Sequence, residues 1–348
     1  MYACYASSDY YARETGISMI GFFENNPDYD PEEFFILDYG ILPPNKEKLN
    51  DIAKKYGKYI TYLPAKTILE DIQQKLNLRN FRGSLATYSR AFIDKIMPDY
   101  VDRLLYIDSD TVVVGSVSEL KNFSMGDACM AGIVSEGFST QMKNGDFTLY
   151  SGNNAYYGCG IVLFDIGNWR LHNCYEKIAN MLTIKKNYPC ADQTLINNAL
   201  PETYFCRLPR KYNYNTHTLS EAMELKKLKI GGWYDEEEIL DSIHNTVVVH
   251  YAGYPIYRPW YEGCISRRKD DYFKYKALSP WKNDPLCPIE NVQNAKGLRK
   301  VFNSFVKKTE TTSKYTFLLN IFKILRIIIG KPLRGLGIIP KLPNEGIE

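Results

Sequence analysis

The stretch Arg103-Leu-Leu-Tyr-Ile-Asp108-Ser-Asp110-Thr-Val-Val-Val114 decides how the rest of this chain is read. An apolar run ends in two carboxylates one residue apart, and a second β-branched run follows. Residues i and i+2 of a strand point the same way, so Asp108 and Asp110 share a side. Two such carboxylates repel unless a cation lies between them. Hard divalent ions such as Mg²⁺ or Mn²⁺ take oxygen ligands of this kind and hold substrate phosphates as well. The pattern alone is weak, and the chain carries its own control. Asp28-Tyr-Asp30 repeats it within Glu24-Asn-Asn-Pro-Asp-Tyr-Asp-Pro-Glu-Glu33, where proline and acid crowding read as a solvated loop.

Working outward, the segments before this stretch alternate between strand and helix. Tyr2–Tyr5 is a short strand stopped by Ala6-Ser-Ser-Asp9, and Ile17, Ile20 and Phe23 follow at helical spacing. A small-residue turn between strand and helix lets backbone N–H groups approach a ligand. No Gly-x-Gly-x-x-Gly is present, which weakens a dinucleotide reading. Glu33–Asp38 and Lys58–Leu63 read as strands, with a helix over 45–56 between them. Ser84–Ile96 reads as one helix carrying Arg90 and stopped by Pro98. Such alternation predicts an α/β domain with a mainly parallel sheet.

Beyond it, 131–134 is a short strand, and Gly158-Cys-Gly160 opens a buried strand ending at Asp165. A glycine at such a place marks a close approach by ligand or backbone. Trp169–Met181 reads as one helix, and Asp192 as the N-cap of another. Residues 201–245 are irregular, with Asn213, Asn215 and His217 among tyrosines. Thr246–Gly253 is a strand that delivers His250 at its end, ahead of Arg258-Pro-Trp260. Imidazole is a good third ligand for a Mn²⁺-type ion, and an arginine suits a phosphate.

Composition bounds the answer further. At 348 residues the chain suits one large domain with an appendage, or two small ones. A net charge of +3 is too small for the whole chain to bind nucleic acid electrostatically. The charge is uneven, because eight basic residues stand against one acid between Lys307 and Lys341. Twenty-eight tyrosines offer rings with hydroxyls, which suits sugar ligands. Eight scattered cysteines without a Cys-x-x-Cys pair argue for neither a zinc site nor a disulfide framework. With no signal peptide at the start, reduced cytosolic thiols are expected.

In order along the chain, Ala6-Ser-Ser-Asp-Tyr-Tyr11, Thr87-Tyr-Ser-Arg90, Leu105–Asp110, Gly160–Arg170, Asp192-Gln193 with Asn197, and His250-Tyr-Ala-Gly253 leading to Arg258-Pro-Trp260 resemble the family 8 glycosyltransferases. The resemblance implies the GT-A nucleotide-sugar fold, a Rossmann-like mixed sheet with flanking helices. It implies that Asp108, Asp110 and His250 hold Mn²⁺, or Mg²⁺, against the diphosphate of a UDP-sugar. Ala6, Ser7, Ser8, Asp9, Tyr10 and Tyr11 would form the uridine pocket, with Ser109 and Gly253 also lining the donor. Arg90 would meet the donor sugar or phosphate region, Arg258 the diphosphate, Asp192 the sugar hydroxyls, and Gln193 the vicinity of the anomeric carbon. Arg90, Asp192 and Gln193 are thus the expected catalytic set, in a transfer that retains anomeric configuration.

Three positions depart from the family pattern. Gly158-Cys-Gly160 stands where Asn-Ala-Gly is usual, so Asn153 or Asn154 is the expected substitute for the missing asparagine. Ser8 replaces an acid that often meets the uracil, which leaves that work to Asp9. The loop from Gly253 to Arg258 is longer, with arginine in place of lysine.

The expected organisation is a GT-A catalytic domain over 1–275 and a basic amphipathic tail over 276–348. Tyr315–Ile329 keeps Thr316, Asn320 and Lys323 on one stripe opposite a broad apolar side. It falls short of the ~20 apolar residues that span a bilayer and reads as a helix lying on an anionic membrane surface. The partners expected are therefore a UDP-sugar, a glycan or glycolipid acceptor, and the inner face of the cell membrane, to which a cytoplasmic enzyme attaches peripherally. The reaction expected is transfer of glucose or galactose to a lipopolysaccharide, capsule or glycolipid acceptor. Two other classes fit the residues: a metal-dependent nucleotide-sugar hydrolase, and a catalytically dead GT-A scaffold that binds glycan or membrane.

Overall fold

The computed structural model describes residues 1–288, except 82–83, 144–147, 187, 217–231 and 254. His217 and the Tyr315–Ile329 segment lie outside the described residues. The first half holds β1 (Tyr2–Ser7), α1 (Ala12–Asn25), β2 (Glu33–Asp38), α2 (Pro43–Lys55), β3 (Tyr59–Leu63), α3 (Ala65–Leu76), α4 (Ile93–Ile96), β4 (Arg103–Asp108), β5 (Thr111–Val113) and β6 (Met130–Gly132). The second holds α5 (Glu136–Lys143), β7 (Ile161–Asp165), α6 (Ile166–Leu171), α7 (Cys174–Ile184), α8 (Ala191–Ala199), β8 (Phe205–Arg207), β9 (Tyr214–Asn215), α9 (Glu236–His244), β10 (Val248–His250) and α10 (Lys269–Lys276).

Seven strands form one sheet in the order β3-β2-β1-β4-β7-β6-β8. Strands β1 to β4 pair in parallel, whereas β7 runs antiparallel to both β4 and β6. The mixed sheet explains why β4 and β7 read as near-continuous apolar runs: both faces are covered. Alternate residues serve opposite layers. Leu104 and Tyr106 of β4 join Val162 and Phe164 of β7 in one core cluster, while Leu105 and Ile107 join Ile161 and Leu163 in the other.

Several local expectations are corrected. Ala65–Leu76 forms α3, which the sequence reading leaves without an element, with Leu69 and Ile72 buried and Asn77 ending it in the left-handed region at φ 52°. The helix expected over 84–96 is a 3-10 turn (Ala86–Arg90) followed by the single-turn α4. The helix expected over 169–181 is two, α6 and α7, separated at Asn173, whose φ is 51°. The β-branched run after Asp110 does not continue β4. It becomes β5, in a second sheet of order β5-β10-β9.

The first compact unit runs Met1–Cys287, past the boundary expected at 275. Packing is the reason. Trp281 is 3 % exposed within the α1 side of the core, and Cys287 bridges to Tyr261.

Candidate active site

Strand pairing gathers the site. In the parallel β1–β4 pair Ala6 lies opposite Asp108, so the turns after both strands emerge side by side. Ser109 fastens them: its hydroxyl donates to the Ala6 carbonyl at 2.7 Å and lies 2.8 Å from Thr15 Oγ1, which is also 2.8 Å from Ser7 Oγ. The chain then leaves the main sheet, and β5 pairs antiparallel with β10, setting Thr111 opposite His250. The Tyr251 N–H donates to the Asp110 carbonyl at 2.9 Å. Backbone pairing thus brings a histidine 140 positions away in sequence to the Asp110 side chain.

One ligand atom each from Asp108, Asp110 and His250 falls within a 4.8 Å group. His250 Nε2 lies 3.1 Å from Asp110 Oδ1 and 4.0 Å from Asp108 Oδ2. Two carboxylates and an imidazole converging in this way form a donor set that fits a divalent ion of the Mg²⁺ or Mn²⁺ class. Gly160 makes the convergence sterically possible. A Cβ there would meet His250 Cε1 at 2.3 Å and Nδ1 at 2.6 Å, closer than real Cβ contacts come. The close approach expected of this glycine is to a side chain.

Each carboxylate also has its own arginine. Arg90 Nη1 donates to both Asp108 oxygens at 2.9 and 3.0 Å and to the Cys159 carbonyl at 2.6 Å. Its Nε and Nη2 donate to Asp192 at 2.5 and 3.0 Å. Arg258 Nη2 donates to Asp110 Oδ2 at 3.2 Å and Nη1 to the Tyr11 hydroxyl at 3.1 Å. Burial pushes the Asp108 carboxyl up to about 6, with Arg90 opposing and Asp110 adding to the rise. Burial acts on Asp110 in the same direction, but His250 and Arg258 overcome it and hold that carboxyl at about 2. Burial also raises Asp192, against Arg90. For His250 the desolvation that favours neutral imidazole is outweighed by Asp110, and its pKa rises. The two aspartates of one motif are therefore held in different protonation regimes by their neighbours.

The remaining sequence candidates divide by what their side chains already do. Gln193 Oε1 accepts the Cys159 N–H at 3.0 Å, so it borders the Arg90–Asp192 pair. Asp192 is not an N-cap. Cys190 holds that position in α8, and the Asp192 carboxylate, 1 % exposed, is clasped by Arg90. The Ser8 carbonyl accepts the Tyr11 N–H and closes the 3-10 turn Asp9–Tyr11. Asp9 Oδ1 accepts from the Leu42 N–H at 2.9 Å and Asn45 Nδ2 at 2.8 Å, tying that turn to α2. Tyr10 is 64 % exposed, with its hydroxyl 3.0 Å from that of Tyr261. Gly253 has φ +93°, a backbone that favours glycine where β10 gives way to the Arg258 loop. Both substitutes for the missing asparagine have partners within the fold. Asn153 Nδ2 donates to the Leu200 carbonyl at 2.9 Å, and Asn154 is tied to Glu202.

Two contributors escaped the sequence reading. Asn213, 4 % exposed, places Oδ1 2.9 Å from His250 Nδ1. Thr15 bonds the β1 and β4 turns together from within α1. The signal for Asn213 was an amide in an aromatic segment, and only the β9–β10 pairing gives it a partner.

The sequence model described as Glycosyl transferase family 8 matches residues 3–264. The chain is 24 % identical over 285 residues to general stress protein A of Bacillus subtilis, covering 81 % of this chain and 94 % of that one. It is 27 % identical over 314 residues to a lipopolysaccharide 1,2-glucosyltransferase of Escherichia coli, covering 87 % and 81 %. Among solved structures, the galactosyltransferase LgtC in complex with donor and acceptor sugar analogues superimposes with a TM-score of 0.65 at 19 % identity, over 81 % of this chain and 99 % of that one. At that identity the likeness establishes the fold, which is GT-A.

Proposed function

This chain belongs to glycosyltransferase family 8, and from that premise we propose that it is a Mn²⁺-dependent, retaining enzyme that moves glucose or galactose from UDP to a cell-surface glycan of the lipopolysaccharide, capsule or glycolipid type. The observation that carries this reading is the Asp108–Asp110–His250 convergence with an arginine on each carboxylate. With His250 neutral, Asp108, Asp110 and Asp192 outnumber Arg90 and Arg258 by one charge. A divalent cation would turn that deficit into an excess suited to a diphosphate.

A bound metal ion supplies Lewis-acid stabilisation of the departing UDP. The chain's own residues supply the rest. Arg258 leaves Asp110 for the diphosphate, a bidentate partner better matched to guanidinium than a single carboxylate oxygen. Its Nε, buried and without a hydrogen-bond partner among the described residues, is a further donor for the same anion. The Tyr11 ring packs the uracil, and Tyr10 with Tyr261 borders it. Asp192, fixed by Arg90, accepts from donor-sugar hydroxyls, and Gln193 is held beside the anomeric carbon through the Cys159 N–H. Such preorganised dipoles need no rearrangement as charge develops on the leaving group.

The acceptor class follows the relatives whose names specify lipopolysaccharide. Among the described residues no helix is long and apolar enough to cross a membrane. We assign attachment to the cytoplasmic membrane face to the basic amphipathic segment Tyr315–Ile329, on its sequence alone.

The test is UDP release from a panel of UDP-sugars, with and without lipo-oligosaccharide acceptor, and NMR of the product's anomeric proton. Acceptor-dependent release from UDP-glucose or UDP-galactose with a retained anomer is expected. Equal release without acceptor would make the protein a hydrolase, and no binding of any UDP-sugar would make it a dead scaffold.

A further inference from the structure

We propose that Asn213 is a positioning residue for metal binding: by accepting a hydrogen bond from His250 Nδ1–H, it fixes the tautomer that aims the Nε2 lone pair at the two carboxylates. The inference rests on the metal reading of Asp108, Asp110 and His250. Neutral imidazole carries one proton, and the nitrogen without it is the ligand; what the other nitrogen bonds decides which is which. In metal sites that outer partner is usually a carboxylate, a carbonyl or water, and its loss commonly weakens affinity 10–100-fold.

Here the outer partner is an amide oxygen. Asn213 Oδ1 lies 2.9 Å from His250 Nδ1, on the far side of the ring from the Nε2 that faces Asp110 at 3.1 Å. Both groups are enclosed, Asn213 at 4 % and His250 at 8 % exposure, so water does not readily take over the bond. The ring's third side is closed by Gly160, where a Cβ would lie 2.6 Å from Nδ1 and 3.3 Å from Asn213 Nδ2. The imidazole is thus held by an acceptor behind it and by backbone beneath it. The backbone brings the two together: β9 and β10 pair in parallel with His250 opposite Asn215, two residues beyond Asn213.

The test titrates the full-length protein with Mn²⁺ alone and follows free ion by electron paramagnetic resonance. Asn213→Leu, similar in volume but without an acceptor, should bind Mn²⁺ 10–100-fold more weakly, and Asn213→Asp, which keeps an acceptor, should bind within a few-fold of wild type. Unchanged affinity in Asn213→Leu overturns the proposal. So does an equal loss in Asn213→Leu and Asn213→Asp, which marks a packing role. Wild type that binds no Mn²⁺ refutes the metal reading itself and is seen before any variant is compared. A measurement on the unmutated protein covers the case in which Asn213→Leu fails to fold. The ¹⁵N shifts of labelled histidine in protein loaded with diamagnetic Mg²⁺ should show His250 protonated on Nδ1 among the 4 histidines. A protonated Nε2 there contradicts the proposal.

Discussion

Replacing Arg90 by methionine removes one cation from two carboxylates at once, the buried Asp192 and the half-buried Asp108. Asp192 is 1 % exposed and loses a fork of 2.5 and 3.0 Å bonds, and Asp108 loses bonds of 2.9 and 3.0 Å. Breaking a buried ion pair from one side costs ~3–5 kcal/mol, because the partner charge stays in a low dielectric. The buried Asp192 puts Arg90→Met within that range, and the half-buried Asp108, screened by solvent, adds less. The penalty also depends on pH in a definite direction. Burial already raises both carboxyls, and without Arg90 they rise further. Wild-type advantage is full where both are ionised and is lost as pH falls through the raised values, since a neutral carboxyl needs no counter-charge. Urea unfolding of metal-free protein near pH 8 and about pH 5 should show a large loss at the first and a clearly smaller one at the second. Arg90→Lys, which keeps charge but not the fork, should fall between wild type and Arg90→Met. A loss under ~1 kcal/mol, the size of an exposed ion pair, or one equal at both pH values, would refute the clasp.

Other outcomes follow from the same geometry. Gly160→Ala drives a methyl into the His250 ring; it should weaken Mn²⁺ binding at least about tenfold for a stability cost of only ~1–3 kcal/mol, and unchanged binding would show that the ring can move aside. Asp108 is pushed up to about 6, so a proton competes with the metal below that value. Mn²⁺ affinity should fall by at least about tenfold per pH unit there, since His250, also raised, takes a second proton, and a flat dependence in calorimetry would contradict the assignment. Arg258→Ala should raise the UDP-sugar KM and weaken UDP binding roughly tenfold or more while leaving Mn²⁺ binding measurable; a pure kcat effect would move Arg258 off the diphosphate. Truncation after Ser304 should abolish sedimentation with anionic vesicles, and persistence of binding would relocate the membrane contact to the body.

The parts of the site that sequence exposed are those whose chemistry is local. Asp108 and Asp110 announced themselves because a buried strand rarely ends in two acids, and the Asp28–Asp30 control was correctly set aside as loop: both its acids are exposed. Gly160 was legible as a close approach, though not what approached. What sequence could not supply depends on pairing between distant segments. Only the β5–β10 ladder puts His250 against Asp110, and only β9 beside β10 makes Asn213 its neighbour. Asp192 illustrates the limit from the other side. Its sequence position suits a cap, but tertiary charge pairing with Arg90 outweighs a hydrogen bond to a helix N-terminus. Helix α3 shows ordinary amphipathic spacing at Leu69, Ile72 and Leu76 and was there to be read.

The central claim is that Asp108, Asp110 and His250 together hold a divalent ion through which UDP is bound. The most direct measurement is isothermal titration of UDP into wild type and Asp110→Asn, each with Mn²⁺ and with chelator. Strong binding that requires Mn²⁺ in wild type and vanishes in Asp110→Asn is the predicted result. UDP binding of equal strength with chelator, or intact in Asp110→Asn with Mn²⁺, would contradict it.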